Sequence, residues 1–327
     1  MANIVELIRE KVMNDSFNNS TFNSVFNSNW KPIIDSYILT SGNYNPTGIF
    51  NLGDHLSDIF LSTRGSGRGG HTSTSEANSA LAKAGNSWEH LVCWYLNLCL
   101  AGTRAVAIKY KKNLVPEAIR NSLTVYYGAY DSTSETDIIV ITFPDLQEYT
   151  VDYSLLRYVG NTVTIAGVGS GGRNPSFTKV LNALADRDFA SYEVGVIQCK
   201  TNWNDSVQVP MLWDMIYSSR SFSRTRSITV GRSGKSIHNL SLFTYSFVTV
   251  PTNSHTNYTA GKLPVKRVQN LSGGNYWGYP SKNNVALSVK EIFNRNFSTA
   301  FGSTPIANHI SSCVIPNLRT VYNYLNL

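Results

Sequence analysis

The sequence predicts an α/β (α+β) fold in which a central mixed β-sheet is flanked by helices. Three observations predict it. Ser87 to Leu100 carries Trp88, Leu91, Val92, Tyr95, Leu96, Leu98 and Cys99, the pattern of a largely buried helix. Ile138-Ile139-Val140-Ile141 and Val194-Gly195-Val196-Ile197 are short apolar runs rich in β-branched residues, as in strands covered on both faces. A further β-rich run, Ser241 to Val250, ends at Pro251. The order helix, several strands, helix, strand means a mixed sheet between helices, with additions at both ends.

In chain order, Met1 to Asp15 places Glu6, Arg9, Glu10 and Lys11 among Ile4, Leu7, Ile8 and Val12, an amphipathic helix rather than an export segment. Asn14 to Asn29, rich in Asn, Ser and Phe, is expected to loop over the surface. Thr63 to His71 is expected to be a flexible loop holding Arg64 and Arg68. Gly102 ends the buried helix. Ala105 to Ile108 and Leu123 to Tyr127 are strand candidates. Asp137 opens the strand that stops before Pro144. A long insertion follows, with a helix expected over Pro175 to Asp188. The strand Val194 to Lys200 leads into a turn over Thr201 to Asp205, and Pro210 suits the first position of a helix reaching about Ser219. With no repeat and no linker, the 327 residues read as one domain. Its core spans about 87–250, with elaborations at 1–86 and 251–327.

The formal net charge of +7 favours a polyanionic partner, although a basic protein without one carries the same charge. The longest apolar run, Leu91 to Ala101, is too short to span a bilayer and contains Asn97. A cytoplasmic location without membrane contact is therefore expected. Cys93, Cys99, Cys199 and Cys313 form no CxxC pair and have no histidine at zinc-ligand spacing, so they read as reduced packing residues. Thr63 to His71 lacks the Lys-Ser/Thr ending of a P-loop. Gly167 to Gly172 has no strand before it and no helix after it at the right distance.

Chemistry is concentrated where the strand Val194 to Lys200 ends. Alternation puts Gln198 and Lys200 on one face and Ile197 and Cys199 on the other. An apolar strand that ends by placing an amide and an ammonium side by side builds a polar site at a sheet edge. A strand turning polar as it meets solvent would look the same. If the strand opened by Asp137 is its neighbour, that carboxylate faces Gln198 and Lys200. Glu89, an acid in the buried helix, is costly there unless a metal ion or a lysine pairs with it, or unless it lies on an exposed stripe.

In this order, Glu89, Thr136-Asp137 and Gln198-Cys199-Lys200 resemble the PD-(D/E)XK nucleases, and among them the type II restriction endonucleases. That family has an acid on an early helix, an acid at a strand start and an acid-x-Lys tripeptide on the next strand, then a helix and another strand. The resemblance covers roughly Ser87 to Val250. Thr136 stands where proline is usual. Gln198 stands where Asp or Glu is usual, though some restriction endonucleases carry Gln there. The gap from Asp137 to Gln198 is long, and Asp186 or Asp188 is a competing choice for the strand acid.

The resemblance implies a single catalytic domain that hydrolyses double-stranded DNA at a short specific sequence. It implies Mg²⁺, with Mn²⁺ as a substitute, and products with a 5′-phosphate and a 3′-hydroxyl. The metal ligands would be Asp137, Gln198, the backbone carbonyl of Cys199 and Glu89. Lys200 would hold or deprotonate the attacking water and offset charge on the phosphate. A homodimer is implied, since two sites cut a duplex symmetrically, and so is a prokaryotic or phage-infected cell.

DNA contacts are expected first from Arg220, Arg224, Arg226, Arg232 and Lys235, and from Arg64 and Arg68. Lys262, Lys266 and Arg267, and Lys109, Lys111 and Lys112, form two further basic groups. Two alternatives stand beside this reading. One is a structure-specific repair or phage nuclease of the same fold; the other is a non-enzymatic phage structural or nucleic-acid-binding protein.

Overall fold

The computed structural model describes residues 2–63, 74–109, 111, 113–127, 129–133, 136–166, 176–201, 228–250, 276–278 and 288–327. The elements that position the site are α1 (Ile4–Asn18), α2 (Thr74–Leu100), β1 (Ala105–Lys109), β2 (Ile138–Thr142), α3 (Phe177–Arg187), β3 (Glu193–Lys200), β4 (Leu242–Thr249) and β5 (Tyr276–Gly278). The five strands form one mixed sheet in the order β5-β4-β3-β2-β1. β1, β2 and β3 pair antiparallel, whereas β4 runs parallel to β3 and β5 parallel to β4. This is the α/β class expected, a mixed sheet packed against helices.

Every residue of β2 is buried, and so is β3 between its two terminal residues. A strand covered on both faces has no polar face to show, which is why both read as continuous apolar runs. Parallel pairing of β3 and β4 obliges the chain to cross the sheet between them. The turn expected after Thr201 and the helix expected from Pro210 fall in that span, outside the described residues. The helix expected over Pro175 to Asp188 is α3. α2 is longer than its apolar pattern, starting at Thr74, and it ends at Leu100 as expected. Gly102 follows with φ +79°, and a Cβ there would lie 2.3 Å from Cys313 Sγ, so both conformation and space require glycine.

The segment Asn14 to Asn29 corrects its expectation. It is helical, not a surface loop: α1 runs to Asn18, a second helix spans Ser20–Val25, and a π-helical turn covers Phe26–Trp30. Phe22, Phe26 and Trp30 are fully buried. Phe26 meets the Trp94 ring edge-on and Phe22 lies against His90. Those aromatic contacts outweigh the weak helix propensity of the Asn and Ser residues between them.

β1 is an outer strand, and its outward backbone groups are buried. Side chains of the two covering helices satisfy them. Arg9 of α1 donates to the carbonyl of Ala105 at 2.5 Å. Asn97 of α2 donates to the carbonyl of Ala107 at 2.7 Å and accepts from its N–H at 3.1 Å, acting as a strand would. Arg9 itself is wholly buried and pairs with Glu6, which also accepts from Gly102 N at 2.8 Å and Tyr324 Oη at 2.9 Å. The two ends of the chain thus meet over one core. Cys93, Cys99 and Cys199 lie in that core, and burial pushes the Cys93 thiol up to about 12 and raises those of Cys99 and Cys199 as well, so all three pack as protonated thiols. No described helix is long and apolar enough to cross a membrane.

Replacing Asn97 with Leu should strand the N–H of Ala107, leave its C=O only the weak Cys93 thiol donor at 3.5 Å, and lower stability by about 1–3 kcal/mol, the cost of an orphaned buried group. Urea denaturation checks this; a midpoint at the wild-type value would show that Ala107 finds other partners.

Candidate active site

The register of β2 and β3 pairs Ile138 with Ile197, so Asp137 comes level with Gln198 just past the end of the ladder. Its carboxylate accepts the Cys199 N–H at 2.7 Å and lies 3.8 Å from Lys200 Nζ. Lys200 closes β3, and its own carbonyl accepts from Val250 on the β4 side. Because backbone groups alternate along a strand, the Cys199 N–H and C=O both face the β2 side, where β2 has already ended. The expected position of this polar site at a sheet edge needs correction. β3 is a central strand, and the site lies at the ends of the strands.

Glu89 enters from α2, which covers the Cys199 face. Its carboxylate pairs with Lys109 Nζ at 3.1 Å, and Lys109 also donates to the side-chain oxygen of Asn86, one turn earlier on α2. The partner that makes Glu89 tolerable is therefore a lysine of β1. Lys109, grouped by sequence with Lys111 and Lys112 as a phosphate contact, belongs to this site instead. Lys111 pairs with Asp15, and Lys112 lies outside the described residues. The side chains of Asp137, Lys200, Glu89 and Lys109 are between 19% and 23% exposed, open enough for a substrate atom and dry enough for strong electrostatics.

Burial and the nearby Glu89 push the Asp137 carboxyl up to about 6, against the pull of Lys200, the Cys199 N–H and Lys109. Gln198 is buried on the β3 face next to β4, where its amide hydrogen-bonds the Tyr245 hydroxyl. Tyr245 was not legible as a site residue, because its place depends on the parallel register that sets it opposite Val196. His90, next to Glu89, is held neutral: burial, with Lys109 adding to it, pulls its imidazole down to about 3, and Nδ1 lies 3.1 Å from Ser16 Oγ.

The competing acids lie elsewhere. Asp188 accepts from Tyr149 Oη at 2.8 Å and pairs with Arg187 at 2.7 Å, next to Tyr192 before the start of β3. That is about 25 Å along the strand from Lys200, at 3.3 Å per residue. Asp186 pairs with Lys235 at 2.8 Å. Lys235 also lies over the Phe189 ring, and Arg232 donates to Asn121 and lies 4.0 Å from Asp131. Arg64, Arg68, Arg220, Arg224, Arg226, Lys262, Lys266 and Arg267 fall outside the described residues, as does Gly167 to Gly172.

The donor set is two carboxylates, an amide and a backbone carbonyl, all oxygen donors. Among the described residues no three His, Cys, Asp or Glu side chains converge on one point. The set suits a hard divalent ion that keeps most of its waters, as Mg²⁺ does, and not a zinc cage. The Thr136 hydroxyl, buried beside Asp137 with no partner among the described residues, is the kind of atom an ordered water satisfies. Comparison with protein-family models, with curated proteins and with solved structures found no match for this chain.

A raised carboxyl pKa is destabilising once ionised. Between about pH 4 and pH 6 the folded chain holds the Asp137 proton that the unfolded chain has lost, so stability falls as pH rises through that window. Asp137→Asn keeps an acceptor for Cys199 and removes the charge. In chelator, thermal melting should show the variant more stable than wild type at pH 8, by on the order of 2 kcal/mol, and similar to it at pH 4. A variant less stable at pH 8 would mean that Lys200 outweighs burial.

Proposed function

We propose that this chain is a metal-dependent endonuclease of the PD-(D/E)XK type that hydrolyses double-stranded DNA, with Mg²⁺ as the working ion and Mn²⁺ as a substitute. The observation that carries the reading is the juxtaposition of Asp137 with Lys200, 3.8 Å apart at the ends of two neighbouring strands, in a segment where acid-x-Lys chemistry was expected. The strand order supports it. An acid-bearing helix is followed by an antiparallel trio of strands, with β4 beside β3 in parallel.

A divalent ion supplies a water activated near neutral pH and charge neutralisation on a phosphate. Asp137 and the Cys199 carbonyl present oxygens for it from the same side of β3, with the Gln198 amide and Glu89 as further donors. Lys200, fixed by Asp137, holds its ammonium where an attacking water or a phosphate oxygen would sit. Gln198 in place of an acid leaves the site with one negative charge fewer, which gives Glu89 its importance. Sequence specificity and a twofold dimer belong to the same proposal through the family resemblance.

Incubating a defined plasmid with and without Mg²⁺ tests the reading. Cleavage should require the ion and yield discrete bands; a ladderless smear would favour a structure-specific nuclease, and intact plasmid a non-enzymatic binder. Lys200→Ala should lower the cleavage rate by about 100-fold or more while DNA binding persists, and retained cleavage would sink the assignment. Gln198→Glu should stay active.

A further inference from the structure

Resting on that nuclease reading, the geometry points to Lys109 as a built-in competitor for the metal: its ammonium holds Glu89 in the metal-free protein and moves aside when a divalent ion takes that carboxylate. Three observations carry this. Lys109 Nζ sits 3.1 Å from Glu89 Oε2, at a carboxylate that would otherwise be available to a cation. The ionised site is formally neutral, since Glu89 and Asp137 are matched by Lys109 and Lys200. In such a site each ammonium offsets part of the attraction that the carboxylates offer a divalent ion, so displacing one strengthens it.

The third observation is that Lys109 has somewhere to go. It lines a cavity of about 150 Å³ between α1, α2 and the chain just after β1, together with Asp15, Ser16, His90 and Lys111. Asp15, half-exposed and paired with Lys111, offers the displaced ammonium a second carboxylate. Lys109 also holds Asn86, one turn of α2 before Glu89, so in the metal-free state it fixes the middle of that helix to the outer strand. Lys109 is in this account a positioning residue and touches no reacting atom. Its role is to keep Glu89 occupied and to set how tightly the ion binds.

Mn²⁺ binding to the full chain without DNA, followed by electron paramagnetic resonance, tests the inference. Lys109→Met removes the charge and keeps the length; Lys109→Gln also keeps a donor for Asn86, in case the first variant folds poorly. Both should bind Mn²⁺ about fivefold more tightly or better, as expected for removing a cation a few ångströms from the ion. Combined with Glu89→Gln, the Lys109→Met gain should shrink markedly, because the contested carboxylate is gone. Unchanged or weaker binding in a folded Lys109 variant, with wild type still binding Mn²⁺, overturns the competitor role and leaves the Asp137–Lys200 reading standing. A gain as large in the Glu89→Gln background also overturns it, by reducing Lys109 to a distant repelling charge. Wild type that binds no Mn²⁺ overturns the nuclease reading, and this inference with it.

Discussion

A carbonyl buried on the outer edge of a sheet must find a donor, and that need organises much of this molecule. β1 carries its outward backbone groups into the protein interior, where water cannot reach them. Asn97 answers both groups of Ala107, and Arg9 answers Ala105. Each of these side chains comes from a different helix, so α1 and α2 are tied to the same strand. Arg9 is a buried charge and in turn needs Glu6, and Glu6 draws in Gly102 and Tyr324. The N-terminal helix, the end of α2 and the C-terminal segment are thereby bound into one polar network on the closed edge of the sheet.

The site depends on that closure. Lys109 is the last residue of β1, and Glu89 lies two turns before Asn97 on α2. With Asn97 holding Ala107, the end of the strand stays in register with the middle of the helix and the Lys109–Glu89 pair forms without a dedicated scaffold. Across the sheet, the ladder of β2 and β3 brings Asp137 to Cys199 and Lys200. Two lysines and two acids therefore meet at one end of the strands, one pair from each side. Tyr245, reached only through the parallel ladder with β4, adds a contact to Gln198 on the face opposite α2. The far end of β3 is built differently: Asp188, Arg187, Tyr149 and Tyr192 form a closed, self-satisfied cluster. An acid already holding a guanidinium and a phenol has little left to offer an ion.

Much of this was written in local pattern. The strands β1 to β4, the end of α2 and the helix α3 follow from apolar runs and their punctuation, because burial on both faces leaves a continuous signature in the chain. The pairing of Asp137 with Lys200 was legible only on the condition that their strands are neighbours, with Asp186 or Asp188 as a competing acid. Besides Tyr245 and the short strand β5, three things were not legible. The Asn-rich segment after α1 looked like a loop because Asn and Ser are poor helix formers; its helices exist through Phe22 and Phe26 packing on α2, with Trp30 against Phe22, and tertiary packing overrides propensity. Asn97 looked like a blemish in an apolar helix, yet it completes a strand. Lys109 looked like one of three lysines grouped for phosphate contact.

By itself, then, the sequence determined the class of fold, four of the five strands of the sheet, and Lys200 with its candidate acids. These depend on periodicities of two and of 3.6 residues, which act within a few residues of chain. Only the tertiary structure decided which acid each lysine answers, that Asp186 and Asp188 are committed elsewhere, and that the site lies at the ends of central strands rather than at an edge. The two ion pairs of the site join residues 20 and 63 positions apart, and no local pattern encodes which of several charges comes within 4 Å of another.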